Sequence, residues 1–262
     1  MSKITNGQYN QTKAVRQSHL KQILQSPAHY RVAVEKSEDY SESKAMLIGS
    51  AVHCAVLEPN AFAQRFIAID GNRNSNAVKD AIGRAESLGL SVLKSEEMAE
   101  VYTMTNAINS HPQAGRLVQG GLVELGLSWH KDGVDYKCKP DLIRDDHIFV
   151  DLKTTRDASP RSFSRDFFDH GYDFQMEFYR EGLAENGFES FTPAIVCVEN
   201  VAPYNVMVYA IPEEVLQYGR KNIEKARKIL KECIEKMTWP GYSTEIEEIL
   251  IPYYLKNEIN QY

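Results

Sequence analysis

The sequence predicts an α/β domain, a mixed sheet packed by helices, and three observations carry that expectation. Helix-period segments dominate residues 1–120. Period-two alternation begins near residue 121 and recurs in three successive runs. A helix, two further strand-like runs and a long helix follow, with no repeat, low-complexity tract or Pro/Gly/Ser-rich linker between them. We therefore expect a single domain over residues 1–262, with a helical part at 1–120, a core at about 121–212 and a C-terminal helical part at 213–262.

Each element has its own signal. Ser18 is placed to cap "HLKQIL", where Leu20, Ile23 and Leu24 form one apolar face before Pro27. "KAMLIGSAVHCAVLE" forms a second helix that Pro59 stops, and a third spans roughly Ser95 to Ser110 with Pro112 beyond it. "LVELGLSWH" alternates, "KDG" turns, "VDYKCKPDLI" runs extended, "RDD" turns again and "HIFVDLKTT" makes a third strand. The expected product is a three-stranded antiparallel meander. "FQMEFYREGLAEN" is helical, and "TPAIVCVEN" and "YNVMVYAI" are strands. "GRKNIEKARKILKECIEKM" carries Ile223, Ala226, Leu230, Cys233 and Met237 at helical spacing.

Composition narrows the function classes. Hydrophobic residues at 43% and charged residues at 25% are ordinary globular values. No run is long and apolar enough to span a bilayer, and "MSKITNGQYNQTKAVRQ" lacks the apolar region of a signal peptide, so no membrane role is expected and the expected compartment is the cytoplasm. Cys54, Cys138, Cys197 and Cys233 are scattered without a C-x-x-C pair, which argues against a structural zinc or iron–sulfur site and for small buried side chains. A formal charge of −6 is mild evidence against nucleic acid, although a basic channel can coexist with an acidic exterior.

The chemistry concentrates in "KCKPDLIRDDHIFVDLKTT". Alternate strand residues share a face, so Asp151 and Lys153 point one way while Val150 and Leu152 point the other. Asp141 ends the preceding strand, across a turn that can bring it beside Asp151. Two converging carboxylates repel unless a partner neutralises them, and a hard divalent cation is one such partner. A lysine beside metal-bound water can orient it for attack on phosphorus. Taken alone, the stretch reads equally well as a solvated polar hairpin. Elsewhere, His53 lies on a helix among Ile48, Val52, Ala55 and Val56, with Gly49 one turn before it. Gln175 and Tyr179 stand four residues apart on one helical face.

Taken in order, these features are G-x-x-x-H in a helix, Glu124 in a strand, P-D-x9-D-L-K, then Q-x-x-x-Y in a helix. That order resembles the RecB-like branch of the PD-(D/E)XK nuclease superfamily, and within it the RecE (exonuclease VIII) C-terminal nuclease domain family. "SHLKQILQSPAHY" and "WPGYSTEIEEILIPYYL" extend the likeness over nearly the whole chain. The resemblance implies a restriction-endonuclease-like core: a mixed central sheet flanked by helices.

It also implies roles. Asp141 would be a ligand shared by two Mg2+ ions, with Mn2+ as a substitute. Asp151 and the Leu152 carbonyl would hold the ion that carries the attacking water, and His53 would complete the other ion's set. Lys153 would hold or activate the water, Gln175 would position water or phosphate, and Tyr179 would support the same region. Glu124 matches a recurrent acidic position without an assigned role. By analogy with the related lambda-exonuclease family, Ser18 and Arg16 are candidates for a 5′-phosphate contact, against the plainer role of Ser18 as a helix cap. Arg156, Arg161 and Arg165 are candidate DNA contacts, or a solvated face balanced by Asp157, Asp166 and Asp169.

The activity implied is Mg2+-dependent 5′-to-3′ digestion of one strand of linear double-stranded DNA, leaving 3′ tails for a RecT-like single-strand annealing partner. A ring-shaped homo-oligomer and a phage or prophage origin in a bacterial host follow from the same resemblance. Two alternatives stand beside it. One is another RecB-like nuclease of the Cas4 type, which the cysteine spacing disfavours. The other is a non-catalytic DNA-binding module, which the presence of Asp141, Asp151, Lys153 and His53 disfavours.

Overall fold

The computed structural model describes residues 3–4, 6–35 and 43–251. The chain opens with β1 (Lys3–Ile4), α1 (Asn6–Gln11), α2 (Gln17–Gln22) and α3 (Pro27–Glu35). Then come α4 (Lys44–Leu57), α5 (Pro59–Arg65), β2 (Phe66–Ala68), α6 (Asn76–Ser87), β3 (Ser91–Leu93), α7 (Ser95–Ser110) and α8 (Pro112–Leu117). The central strands are β4 (Leu122–Val123), β5 (Gly126–Lys131), β6 (Val134–Cys138), β7 (Leu142–Ile143) and β8 (Ile148–Thr155). The chain continues with α9 (Pro160–Asp169), α10 (Tyr172–Glu185), β9 (Thr192–Glu199), β10 (Val206–Ala210) and α11 (Glu213–Lys236).

The main sheet has the order β10-β9-β8-β7-β4, and it is mixed: β8 and β9 run parallel, while the other neighbours are antiparallel. A second sheet has the order β1-β5-β6. Alternation along the central strands feeds two apolar layers. Phe149, Ile195 and Cys197 join the layer of α2, α3, α9, α10 and α11. Val150, Leu152, Val196 and Val198 join the layer built mainly from α4, α5, α7 and α8. Both faces of β8 are thus covered, which makes any charge on this strand expensive unless it is paired.

Several expectations need correction. The meander exists, but it bends. Leu122 pairs with Ile143 and Leu127 with Cys138, so β4–β7 and β5–β6 keep one register in two different sheets. The fold line is where the Glu124 N–H donates to the Asp141 carbonyl at 2.9 Å. Pro140 has no N–H to give a ladder there, and Glu124 takes a left-handed φ of 46°, so Glu124 sits at a bend and not within a strand. Ser18 does not cap α2: Arg16 occupies the cap position, and Ser18 is exposed inside the first turn. The part expected to be helical at 1–120 contains a parallel β2–β3 pair beside α6. Beyond Lys236, described residues 237–251 are irregular and residues 252–262 lie outside the description, so the C-terminal part is helical only through α11. Met237, expected on the apolar face of that helix, is 81% exposed just past its end.

Candidate active site

The site forms where β8 passes beyond the end of β7. Residues 149, 151 and 153 face α10; Phe149 fills the core, and then Asp151 and Lys153 replace apolar side chains at the same level of the layer. Asp151 is 1% exposed, and its Oδ2 lies 2.5 Å from the Lys153 ammonium. Gln175, on the facing side of α10, serves both. Its Nε2 donates to Asp151 Oδ1 at 3.0 Å and its Oε1 accepts from Lys153 Nζ at 3.2 Å. The same Nε2 lies 3.0 Å from the Tyr179 hydroxyl, one helical turn on. Burial works against the Lys153 ammonium, but the Asp151 and Asp141 carboxylates outweigh it and hold its pKa above the ordinary lysine value.

Asp141 stands on the bend, opposite the unpaired edge of β8. Its Oδ2 accepts the Leu152 N–H at 2.7 Å and lies 3.4 Å from His53 Nδ1, which α4 projects from the other helical layer. Arg144 N–H donates to the Ile148 carbonyl and Leu142 pairs with Val150, so residues 148, 150 and 152 turn their backbone polar groups toward the β7 side. The Leu152 carbonyl therefore opens on the edge where Asp141 stands. Burial, reinforced by the charge of Asp151, pushes the Asp141 carboxyl up to about 6, while His53 and Lys153 pull it down. Burial also raises the Tyr179 phenol well above its usual value.

These groups adjoin a cleft of about 570 Å³, whose walls include His53, Glu124, Leu152 and Lys153. Glu124 pairs with Lys139 at 2.6 Å. Gly49 faces Thr154, and an added Cβ would stand 3.6 Å from its hydroxyl, an ordinary contact. Arg16 and Ser18 are not brought to this cleft. Arg16 turns to His19, with Nη2 to Nε2 at 2.8 Å. Arg156, Arg161 and Arg165 are exposed, and none of them lines the cleft. Among the cleft residues that escaped the sequence reading are Arg65, clamped by Glu58 at 2.7 and 2.9 Å, and Tyr172. Tyr172 lies three residues before Gln175 in one helix, so it was detectable once Gln175 was singled out.

The donor chemistry fits a hard divalent cation: carboxylate oxygens, a backbone carbonyl and an imidazole nitrogen. Among the described residues, no three His, Cys, Asp or Glu side chains close on one point as a ready cage. Asp151 leans instead on Lys153, and its buried Oδ2 meets that ammonium without an aligned hydrogen bond. A buried carboxylate whose contact is so imperfect, beside a second one reluctant to ionise, suits a site that accepts positive charge.

A family model and a solved structure agree with this fold. The model of a family described as a PDDEXK-like domain of unknown function (DUF3799) matches residues 17–250. Among solved structures, a protein provisionally named an exonuclease, from Eubacterium rectale, superposes with a TM-score of 0.66 at 15% identity, covering 98% of each chain. A phage-related exonuclease from Haemophilus somnus matches with a TM-score of 0.36 at 15% identity, over 88% of this chain and 100% of its own. No curated protein matches significantly.

Proposed function

The chain belongs to the PDDEXK-like domain family DUF3799, and on that premise we propose that it is a divalent-cation-dependent exodeoxyribonuclease. On this reading it degrades one strand of linear double-stranded DNA from 5′ to 3′ and leaves 3′ single-stranded tails for recombination. One observation carries the proposal: His53 of α4, Asp141 of the bend, Asp151 and Lys153 of β8 and Gln175 of α10 converge at the free edge of β8 beside an open cleft. The polarity and the duplex substrate rest on the RecE-like motif order.

His53, Asp141, Asp151 and the Leu152 carbonyl would hold the metal, two ions in the full form of the reading. Bound there, Mg2+ or Mn2+ polarises phosphate oxygen and lowers the pKa of water. The protein's own groups do the rest. Lys153, kept protonated by its carboxylate neighbours, presents a fixed positive charge to the entering water or the phosphate. Gln175 fixes Asp151 and Lys153 with one amide, and the Tyr179 hydroxyl adjoins that amide. Burial of this cluster keeps bulk water from screening it. The tail produced would pass to a single-strand annealing protein, and a ring of subunits would keep the enzyme on its DNA.

The test is digestion of linear duplex labelled at either end, with Mg2+ or Mn2+ and closed circular DNA as control. Stepwise release from the 5′ end of linear DNA alone is expected. Asp151→Asn and Lys153→Ala should each abolish it. Cleavage by either variant at near wild-type rate, or no cleavage by the wild type with either metal, overturns the reading.

A further inference from the structure

A lysine side chain is long and flexible, so an ammonium that acts at a fixed point needs contacts on several sides. Two contacts of Lys153 are polar: Asp151 Oδ2 at 2.5 Å and Gln175 Oε1 at 3.2 Å. A third is aromatic, since Nζ lies 4.6 Å from the centroid of the Tyr172 ring. No motif in the sequence pointed to this tyrosine.

The ring is itself braced. Tyr172 opens α10 directly after Gly171, whose φ of 67° lies in the left-handed region. Lys21 of α2 donates to the His170 carbonyl just before that turn, and a Cβ on Gly171 would come within 2.7 Å of Lys21 Cδ. Ring contacts pack Tyr172 on other sides: His170 stacks at 5.5 Å, and Phe167 meets it edge-on at 6.0 Å. Tyr172 is thus a fixed wall of the cleft.

We infer that Tyr172 is a positioning residue for Lys153: its ring face draws the ammonium by cation–π attraction and keeps it aimed between Asp151 and the cleft. The inference rests on the nuclease reading above. The attraction comes from the ring quadrupole, which phenylalanine shares, so the hydroxyl is dispensable. Losing the ring leaves Lys153 paired with Asp151 and Gln175 but free to swing.

The experiment compares the wild type with Tyr172→Phe and Tyr172→Leu, and with Tyr172→Met as a bulkier replacement if the leucine variant fails to fold. Removing the ring should lower kcat on linear duplex about tenfold while KM for DNA stays within about twofold, and Phe should restore the rate. Unchanged kcat without the ring overturns the inference. A loss confined to KM also overturns it, since the ring would then be touching DNA. A phenylalanine variant as poor as leucine overturns it too, since the hydroxyl would be the active part. A second readout separates this inference from the nuclease reading. In protein carrying isotope-labelled lysine, the Lys153 ε-methylene signal, assigned by its loss in Lys153→Gln, should be shifted upfield by the ring in wild type and Phe but not in Leu or Met. Absence of cleavage by the wild type would sink the nuclease reading alone. An ε-methylene position that is the same with and without the ring would sink the contact itself.

Discussion

Replacing Lys153 with methionine tests the electrostatic account of the site without reference to catalysis. The lysine side chain is 17% exposed and that of Asp151 1%, with 2.5 Å between the charged atoms. Methionine keeps most of the length and removes the charge, leaving a carboxylate buried in the apolar layer under α10. Breaking a buried pair by removing one partner costs about 3–5 kcal/mol, because the remaining charge is uncompensated. The Gln175 amide still donates to Asp151 Oδ1, which places the expected cost at the lower end, about 3 kcal/mol. Urea denaturation in EDTA measures it. The double variant Asp151→Asn with Lys153→Met removes both charges and should recover most of that loss. Mg2+ should recover part of it in the single variant by standing in for the lost charge. A single variant within about 0.5 kcal/mol of wild type in EDTA, or a double variant as unstable as the single, would refute the reasoning.

Three further outcomes follow from the packing. Gly219→Ala would place its Cβ 2.3 Å from the Asp173 carbonyl oxygen, where α11 crosses α10, and should destabilise the protein by about 1–3 kcal/mol in the same denaturation assay. His19 is buried, and desolvation, together with Arg16 and Lys137, lowers its pKa from 6.5 to about 4. The unfolded chain therefore binds the extra proton in that window. Stability present above pH 6.5 should fall on the order of 3 kcal/mol as pH drops toward 4, and His19→Gln should flatten that slope. Lys137 Nζ donates to the Tyr9 and Thr12 carbonyls at 2.6 and 2.7 Å, so Lys137→Met should speed proteolytic cutting before α2 while leaving the midpoint of α11 protection unchanged.

Legibility followed the range of the signal. The third expected helix, read as roughly Ser95 to Ser110, coincides with α7, and α4, α10, β9 and β10 fall near their expected places, because caps, prolines and period are local. The helices α1, α3, α5, α6, α8 and α9 were not singled out, and neither was the parallel pair of three-residue strands β2 and β3, which are too short to show alternation. The face shared by Asp151 and Lys153, and that shared by Gln175 and Tyr179, were legible for the same reason: each is a relation within one element. That Arg16 turns to His19 was not, since nothing in a helix start says which neighbour a long side chain will meet.

By itself the sequence determined the strands of the central region, the helices α4, α7, α10 and α11, the mixed character of the sheet and the order of the acidic, lysine and glutamine positions. These depend on backbone periodicity and turn chemistry, which act over a few residues. Only the tertiary structure decided that the polar hairpin is buried on both faces, that it bends at Glu124 and Asp141 into two sheets, and that Tyr172 flanks the lysine. Those facts depend on α4 and α10 closing over β8 from opposite sides. Such closure is set by the summed burial of two apolar layers and not by any one segment.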